Sequence, residues 1–237
     1  RNIFLTSLPL EYVREIDLGI WMPVYMSIAA ELGLDIEADR KATALMGKLM
    51  AEKEDKVEEL ELLIKGERVN VLGNGPSLPE HLEKIDGIVI AADAAASVYK
   101  RVTGKEPDLI VTDLDGPPEI IKMRSLKVVH AHGDNMDKLK MFVPFMEELV
   151  ATTQVEPKGK VHNFGGFTDG DRAVFISMMA GARSVILIGM DFNSVTEYDV
   201  LAGKNIRRKR KKLEIAKKLI DMAREMGCPL ISGNNRA

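Results

Sequence analysis

Residues Arg68-Val69-Asn70-Val71-Leu72-Gly73-Asn74-Gly75-Pro76-Ser77 decide the fold class of this chain. A short apolar run ends in a turn with two glycines, and the pattern of strand, polar tip and helix then repeats to the C-terminal end. Candidate strands cover 68–72, 88–91, 109–112, 127–131, 160–163, 184–189 and 229–232. Helical stretches lie between them at 94–103, 134–150, 169–180 and 207–226. Such alternation predicts an α/β fold, a Rossmann-like three-layer sandwich with a mostly parallel sheet and helices on both faces. Upstream, the texture changes. Two helices are expected over 9–30 and 38–64, so the chain divides into a helical N-terminal appendage, 1–65, and a Rossmann-like domain, 66–237.

In open parallel sheets ligands bind outside the carboxyl ends of the strands, so the polar residues there are the candidates. At the first tip, the backbone of Gly73, Asn74, Gly75, Pro76 and Ser77 can turn tightly and offer N–H groups to phosphate oxygens. No Gly-Lys-Ser/Thr follows, so this is not a Walker A loop, and the G-x-G-x-x-G pattern is incomplete. At the second tip, Asp93 either caps the helix after it or reaches a ribose or a metal. The third tip, Ile110-Val111-Thr112-Asp113-Leu114-Asp115-Gly116, carries two carboxylates two residues apart. In extended chain such residues point to one side, which for Asp113 and Asp115 predicts a hard divalent cation, Mg²⁺, between them. The plainer alternative is a pair of turn-forming aspartates before Gly116-Pro117-Pro118.

The fourth tip holds His130, His132 and Asp134. His130 is expected in the core, while His132 or Asp134 is a candidate for phosphate or a second metal position; Asp134 could instead cap the next helix. In the fifth, Phe164, Gly165, Gly166, Phe167, Thr168, Asp169 and Asp171 suit a planar heterocycle, through stacking and carboxylate acceptors for paired N–H donors. Thr168 or Asp169 could equally be an N-cap. Asp191 follows the sixth strand, and a loop at 193–205 leads to the basic run Arg207-Arg208-Lys209-Arg210-Lys211-Lys212. That run is either a solvated helix start or a source of cations near polyphosphate.

Composition narrows the class. With 46% hydrophobic and 29% charged residues, the 237-residue chain reads as globular rather than disordered. A formal net charge of −3 argues against nucleic acid as a partner. No apolar stretch approaches the roughly 20 residues needed to span a bilayer. A lone cysteine, Cys228, allows neither an internal disulfide nor a cysteine zinc cluster, and a cytoplasmic location is expected.

The ordered set G-N-G-P-S at 73–77, A-A-D at 91–93, V-T-D-L-D-G at 111–116, H-A-H-G-D-N at 130–135, N-F-G-G-F-T-D-G-D-R at 163–172 and I-G-M-D-F at 188–192 resembles the archaeal 6-hydroxymethyl-7,8-dihydropterin diphosphokinase family, MptE-like. V-T-D-L-D-G is also similar to the G-D-x-D-S element of thiamine pyrophosphokinases, with Thr112 in place of Gly and Gly116 in place of Ser. The resemblance implies diphosphoryl transfer from ATP to a pterin hydroxymethyl group with Mg²⁺ and release of AMP, serving methanopterin or folate-type synthesis. It implies Asp113 and Asp115 as metal ligands, residues 73–77 and Asp93 on the nucleotide side, and ATP and a small pterin alcohol as partners. Assignment of the 163–172 loop and Asp191 to the pterin side is inference rather than motif, as is a catalytic role for His132 or Asp134 in taking the hydroxyl proton, and a homodimer is entertained as the assembly. Two rivals stand beside it: a nucleotide-sugar glycosyltransferase using the D-x-D pair, and a nucleotide-binding protein without catalysis.

Overall fold

A computed structural model of the chain describes residues 15–83, 85–192 and 205–231. The part of the expected 9–30 helix before residue 15, most of the 193–205 loop and the end of the last strand lie outside them. Among the described residues, eight strands form one parallel sheet: β1 (Arg68–Leu72), β2 (Ile88–Ala92), β3 (Leu109–Thr112), β4 (Leu126–Ala131), β5 (Leu149–Thr153), β6 (Val161–His162), β7 (Ser184–Ile188) and β8 (Leu230–Ile231). Their order is β6-β5-β4-β3-β2-β1-β7-β8. The central strands β3, β4 and β5 are buried along their whole length, as a parallel sheet covered on both faces requires. The α/β fold and parallel sheet are as the sequence predicts.

Seven helices flank the sheet among the described residues: α1 (Leu18–Leu32), α2 (Ile36–Leu49), α3 (Val57–Ile64), α4 (Ala95–Thr103), α5 (Met136–Phe142), α6 (Asp169–Met179) and α7 (Ile206–Glu225). Side chains from α1, α3, α6 and α7 share one core with Val69, Val71, Val111 and Val128 of the sheet. On the opposite face, α4 packs in one cluster, and α2 and α5 in another. The N-terminal helices thus share the sheet's hydrophobic core. Trp21 and Tyr25 are fully buried in it, and the Trp21 indole N–H donates to the Gln154 carbonyl at 2.9 Å.

Two sequence expectations change. The single helix at 38–64 is two, because α2 ends at Met50 and a turn precedes α3. The helix expected over 134–150 stops at Phe142, where Pro144 cannot supply a backbone N–H, and residues 149–153 become β5. The β-branched Val150, Thr152 and Thr153 suit the strand.

From β1 to β6 the chain moves outward strand by strand. Helix α6 then carries it back, and β7 pairs with β1 on its free side, Leu72 opposite Ile188. This reversal opens a crevice at the strand tips, where an open α/β sheet binds ligands.

Candidate active site

Glycines let the tips of β1 and β7 close on each other. The Gly73 and Gly75 N–H groups donate to the Ile188 and Gly189 carbonyls, each at 2.8 Å. A Cβ on Gly75 would overlap the Asp191 carboxylate and the Gly189 carbonyl. Gly189 has φ +66° and faces Gly73 equally closely. Asp191 fixes the turn: its two oxygens accept the Ser77 N–H and the Ser77 hydroxyl, both at 2.8 Å. Expected on the substrate side, Asp191 therefore braces the 73–77 turn. Gly73, Asn74, Gly75, Pro76, Asp93, Asp191 and the apolar Met190, Phe192 and Leu213 line a cavity of about 330 Å³ at the switch point.

The expected parallel projection of Asp113 and Asp115 is not observed. Leu114 adopts φ +68°, which ends the extended alternation. The Asp115 N–H folds back onto Asp113 Oδ1 at 3.0 Å, and the Asp115 side chain, 61% exposed, pairs with Lys138. Asp113 instead joins Asp93 and Asp169, one oxygen of each lying within 4.8 Å of the others. Asp93, at φ +46°, accepts the Thr112 hydroxyl at 2.7 Å, and Gly116 leaves room for its carboxylate. The helix after Asp93 begins without a side-chain cap.

These acids crowd one corner of low solvation. Burial raises the Asp93 pKa, helped by repulsion from Asp113, and raises that of Asp169 well above the usual range, with Asp113 and Asp93 adding to it. Burial acts on Asp113 in the same direction, but the His132 ring and the Asp115 N–H outweigh it and hold its pKa low. His132 Nε2 lies 3.4 Å from Asp113 Oδ2, and its Nδ1 accepts the Asp134 N–H at 3.3 Å. That pairing fits the Nε2–H tautomer. Arg172, 2% exposed, supplies a positive charge beneath, with Nη1 3.4 Å from Asp169 Oδ1. Its Nη2 donates to the Gly166 and Phe167 carbonyls. Three hard oxygen donors against one guanidinium suit a divalent cation of the Mg²⁺ class.

Beyond the acids lies a second cavity of about 700 Å³, beneath the start of α2. Asp113, His132, Asp134, Phe167, Thr168, Asp169 and Arg172 line it, and Thr168 and Asp169 also line the first. Sequence reading missed its remaining wall. Asp39 of α2, 5% exposed, accepts the Gly133 N–H at 2.7 Å, the Gln154 amide at 2.9 Å and the Tyr25 hydroxyl. His130 is a core strand residue as expected, bonded to Thr152 and Gln154, and burial lowers its pKa well below the usual value. Asn135 ties the β3 and β4 tips by donating to the Asp113 and His130 carbonyls. It also completes the cap at His132, so Asp134 is not the capping residue.

Part of the 163–172 loop turns away from both cavities. Phe164 is buried and stacks on His162, with ring centres 5.7 Å apart, so it offers no face to a ligand. Gly165 and Gly166 make room for Phe175 and Arg172 rather than for a heterocycle. The Asp171 oxygens accept the Phe167 and Thr168 N–H groups and the Thr168 hydroxyl, which makes Asp171 half of the α6 capping box. Phe167, Thr168 and Asp169 remain at the cavity.

Among the described residues, no helix is long and apolar enough to cross a membrane. The profile of the 6-hydroxymethylpterin diphosphokinase MptE-like family matches residues 44–197. A Pyrococcus furiosus protein named 6-hydroxymethyl-7,8-dihydropterin pyrophosphokinase is 45% identical over 183 residues, covering 74% of this chain and 78% of its own length. Proteins of the same name from Methanothermobacter thermautotrophicus and Methanocaldococcus jannaschii are 37% and 34% identical, over 89% and 88% of this chain and 97% and 96% of theirs. With a profile match over more than half its length and relatives aligned almost end to end, the chain belongs to the MptE-like family of 6-hydroxymethylpterin diphosphokinases.

Proposed function

We propose that the protein transfers a diphosphoryl group from ATP to the hydroxymethyl group of 6-hydroxymethyl-7,8-dihydropterin and releases AMP. The observation that carries this reading is the junction of the two cavities. They share Thr168 and Asp169, and Asp93, Asp113 and Asp169 converge between them. A donor and an acceptor lying on either side of one acidic group is the arrangement that a two-substrate phosphoryl-type transfer needs. The family and the names of the relatives supply the identity of the substrates.

In this reading ATP occupies the switch-point cavity, its phosphates directed to Asn74 and the bound Mg²⁺. The Gly73, Gly75 and Ser77 N–H groups already serve Ile188, Gly189 and Asp191, and so shape the turn rather than hold phosphate. The pterin lies in the cavity under α2. Asp93, Asp113 and Asp169 would hold Mg²⁺, which when bound neutralises phosphate charge. His132 keeps Asp113 ionised and oriented, while Arg172 orients Asp169 from below and only partly offsets the burial that opposes its charge. The alcohol oxygen attacks the β-phosphorus and the Pα–O–Pβ bond breaks, with the bridging oxygen leaving on AMP. The hydroxyl proton passes to solvent, since a loose transfer demands little of a base. The product serves methanopterin or folate-type pterin synthesis. A D-x-D glycosyltransferase loses its geometric support here, because Asp115 faces Lys138.

Incubation with ATP, Mg²⁺ and 6-hydroxymethyl-7,8-dihydropterin should yield AMP and the pterin diphosphate in equal amounts, followed by mass spectrometry. ADP with a pterin monophosphate, or no pterin product at all, would refute the reading.

A further inference from the structure

Six consecutive cations, residues 207–212, begin α7, and the helix divides them by direction. Residues four apart share a helix face, whereas neighbours diverge by about 100°. Arg208 and Lys212 line the larger cavity, which Asp113, His132 and Asp169 also line. Lys209, followed at helical spacing by Leu213 and Ala216, lines the switch-point cavity instead. Lys211 turns to α1, its Nζ 3.4 Å from the Glu31 carbonyl and 3.7 Å from the Glu31 carboxylate. Arg207 and Arg210 are exposed and line neither cavity. Arg208 also donates to the Leu32 carbonyl at 3.4 Å, which holds the start of α7 against the end of α1 at the rim of the larger cavity.

Resting on the function proposed above, we infer that this division matches where charge ends after transfer. Arg208 and Lys212 bind the diphosphate once it is attached to the pterin, and Lys209 binds the phosphate that departs with AMP. The reaction begins with one triphosphate in one cavity. It ends with two anions in two cavities, and a row of cations split between them meets both. Arg207 and Arg210 have no part in it.

Isothermal titration separates these roles without turnover, using AMP and 6-hydroxymethyl-7,8-dihydropterin diphosphate, each with Mg²⁺, against five single alanine variants. Arg208→Ala and Lys212→Ala should each weaken pterin diphosphate binding about tenfold, the size of one charge-assisted contact, and AMP binding less than about twofold. Lys209→Ala should do the reverse, while Arg207→Ala and Arg210→Ala should change neither. Equal losses across all five variants, or the opposite pairing of variant and ligand, would overturn the inference. Failure of the underlying function looks different. Wild-type protein would then bind no pterin diphosphate, which removes the roles of Arg208 and Lys212, while the AMP titration still decides Lys209.

Discussion

The two cavities are built in opposite ways. The switch-point cavity is local: a glycine turn after β1, a glycine after β7, and Asp191 tying them through Ser77. The cavity under α2 is assembled from distant chain segments, with Asp39, His132, Gln154 and Arg172 meeting in one wall. In the first, backbone shape does the work, and few substitutions fit. In the second, a buried polar network does it, and each member depends on the others. On the proposed function, the first is a rigid seat for the nucleotide and the second an acceptor seat whose shape depends on how α1 and α2 pack.

The contrast breaks or sharpens most clearly at the shared boundary. Asp113→Asn or Asp169→Asn should lower AMP formation by a factor on the order of 100 or more, because charge stabilisation worth several kcal/mol is lost. The melting temperature should not fall for Asp169→Asn, since burial and two neighbouring carboxylates already oppose its charge. Asp115→Asn should cost less than about threefold, as expected for an exposed ion pair with Lys138. Comparable losses at Asp113 and Asp115 would restore the paired-aspartate reading and erase the boundary.

A second test concerns pH at His162 of β6, which lines neither cavity. His162 lies between Asp55, 2.7 Å from Nε2, and Glu15, 3.0 Å from Nδ1. Burial lowers its pKa, but the two carboxylates prevail and raise it to about 9. A raised histidine pKa contributes stability that is complete below its unfolded value near 6.5 and lost as pH climbs through 9. Chemical denaturation between pH 6 and 10 should therefore show a fall on the order of 2–3 kcal/mol, which His162→Gln flattens. An unchanged pH profile in that variant would show that the clamp carries no net stability.

Gly75→Ala should cost about 2 kcal/mol through overpacking against Asp191 and Gly189, and raise the KM for ATP with little change for the pterin. Tyr25→Phe removes a buried hydroxyl from Asp39 and should cost about 1 kcal/mol. It should raise the KM for the pterin and leave that for ATP alone. If either variant moves both constants equally, the two seats are one unit.

What the sequence reveals follows the same division. The strand and glycine pattern exposes the sheet and the 73–77 turn because both depend on neighbours in the chain. Asp93, Asp113 and Asp169 were all visible as tip residues. Their grouping was not, since it hinges on the positive φ of Leu114 and on α6 returning beside β3. Asp39 carries no signal at all. It sits in a Glu-Ala-Asp-Arg-Lys stretch that reads as a solvated helix, and only tertiary packing buries it against Tyr25 and Gln154. Asp171 and Phe164 erred the other way, since a capping box and a core ring look like ligand groups when they occur in a glycine-rich loop.

Anomalous diffraction from crystals soaked with Mn²⁺ and a non-hydrolysable ATP analogue tests the central arrangement most directly. The expected density is a manganese peak bounded by Asp93, Asp113 and Asp169, with triphosphate reaching it from the 73–77 turn. A peak held by Asp113 and Asp115, or a nucleotide lying wholly under α2, would contradict the two-seat arrangement.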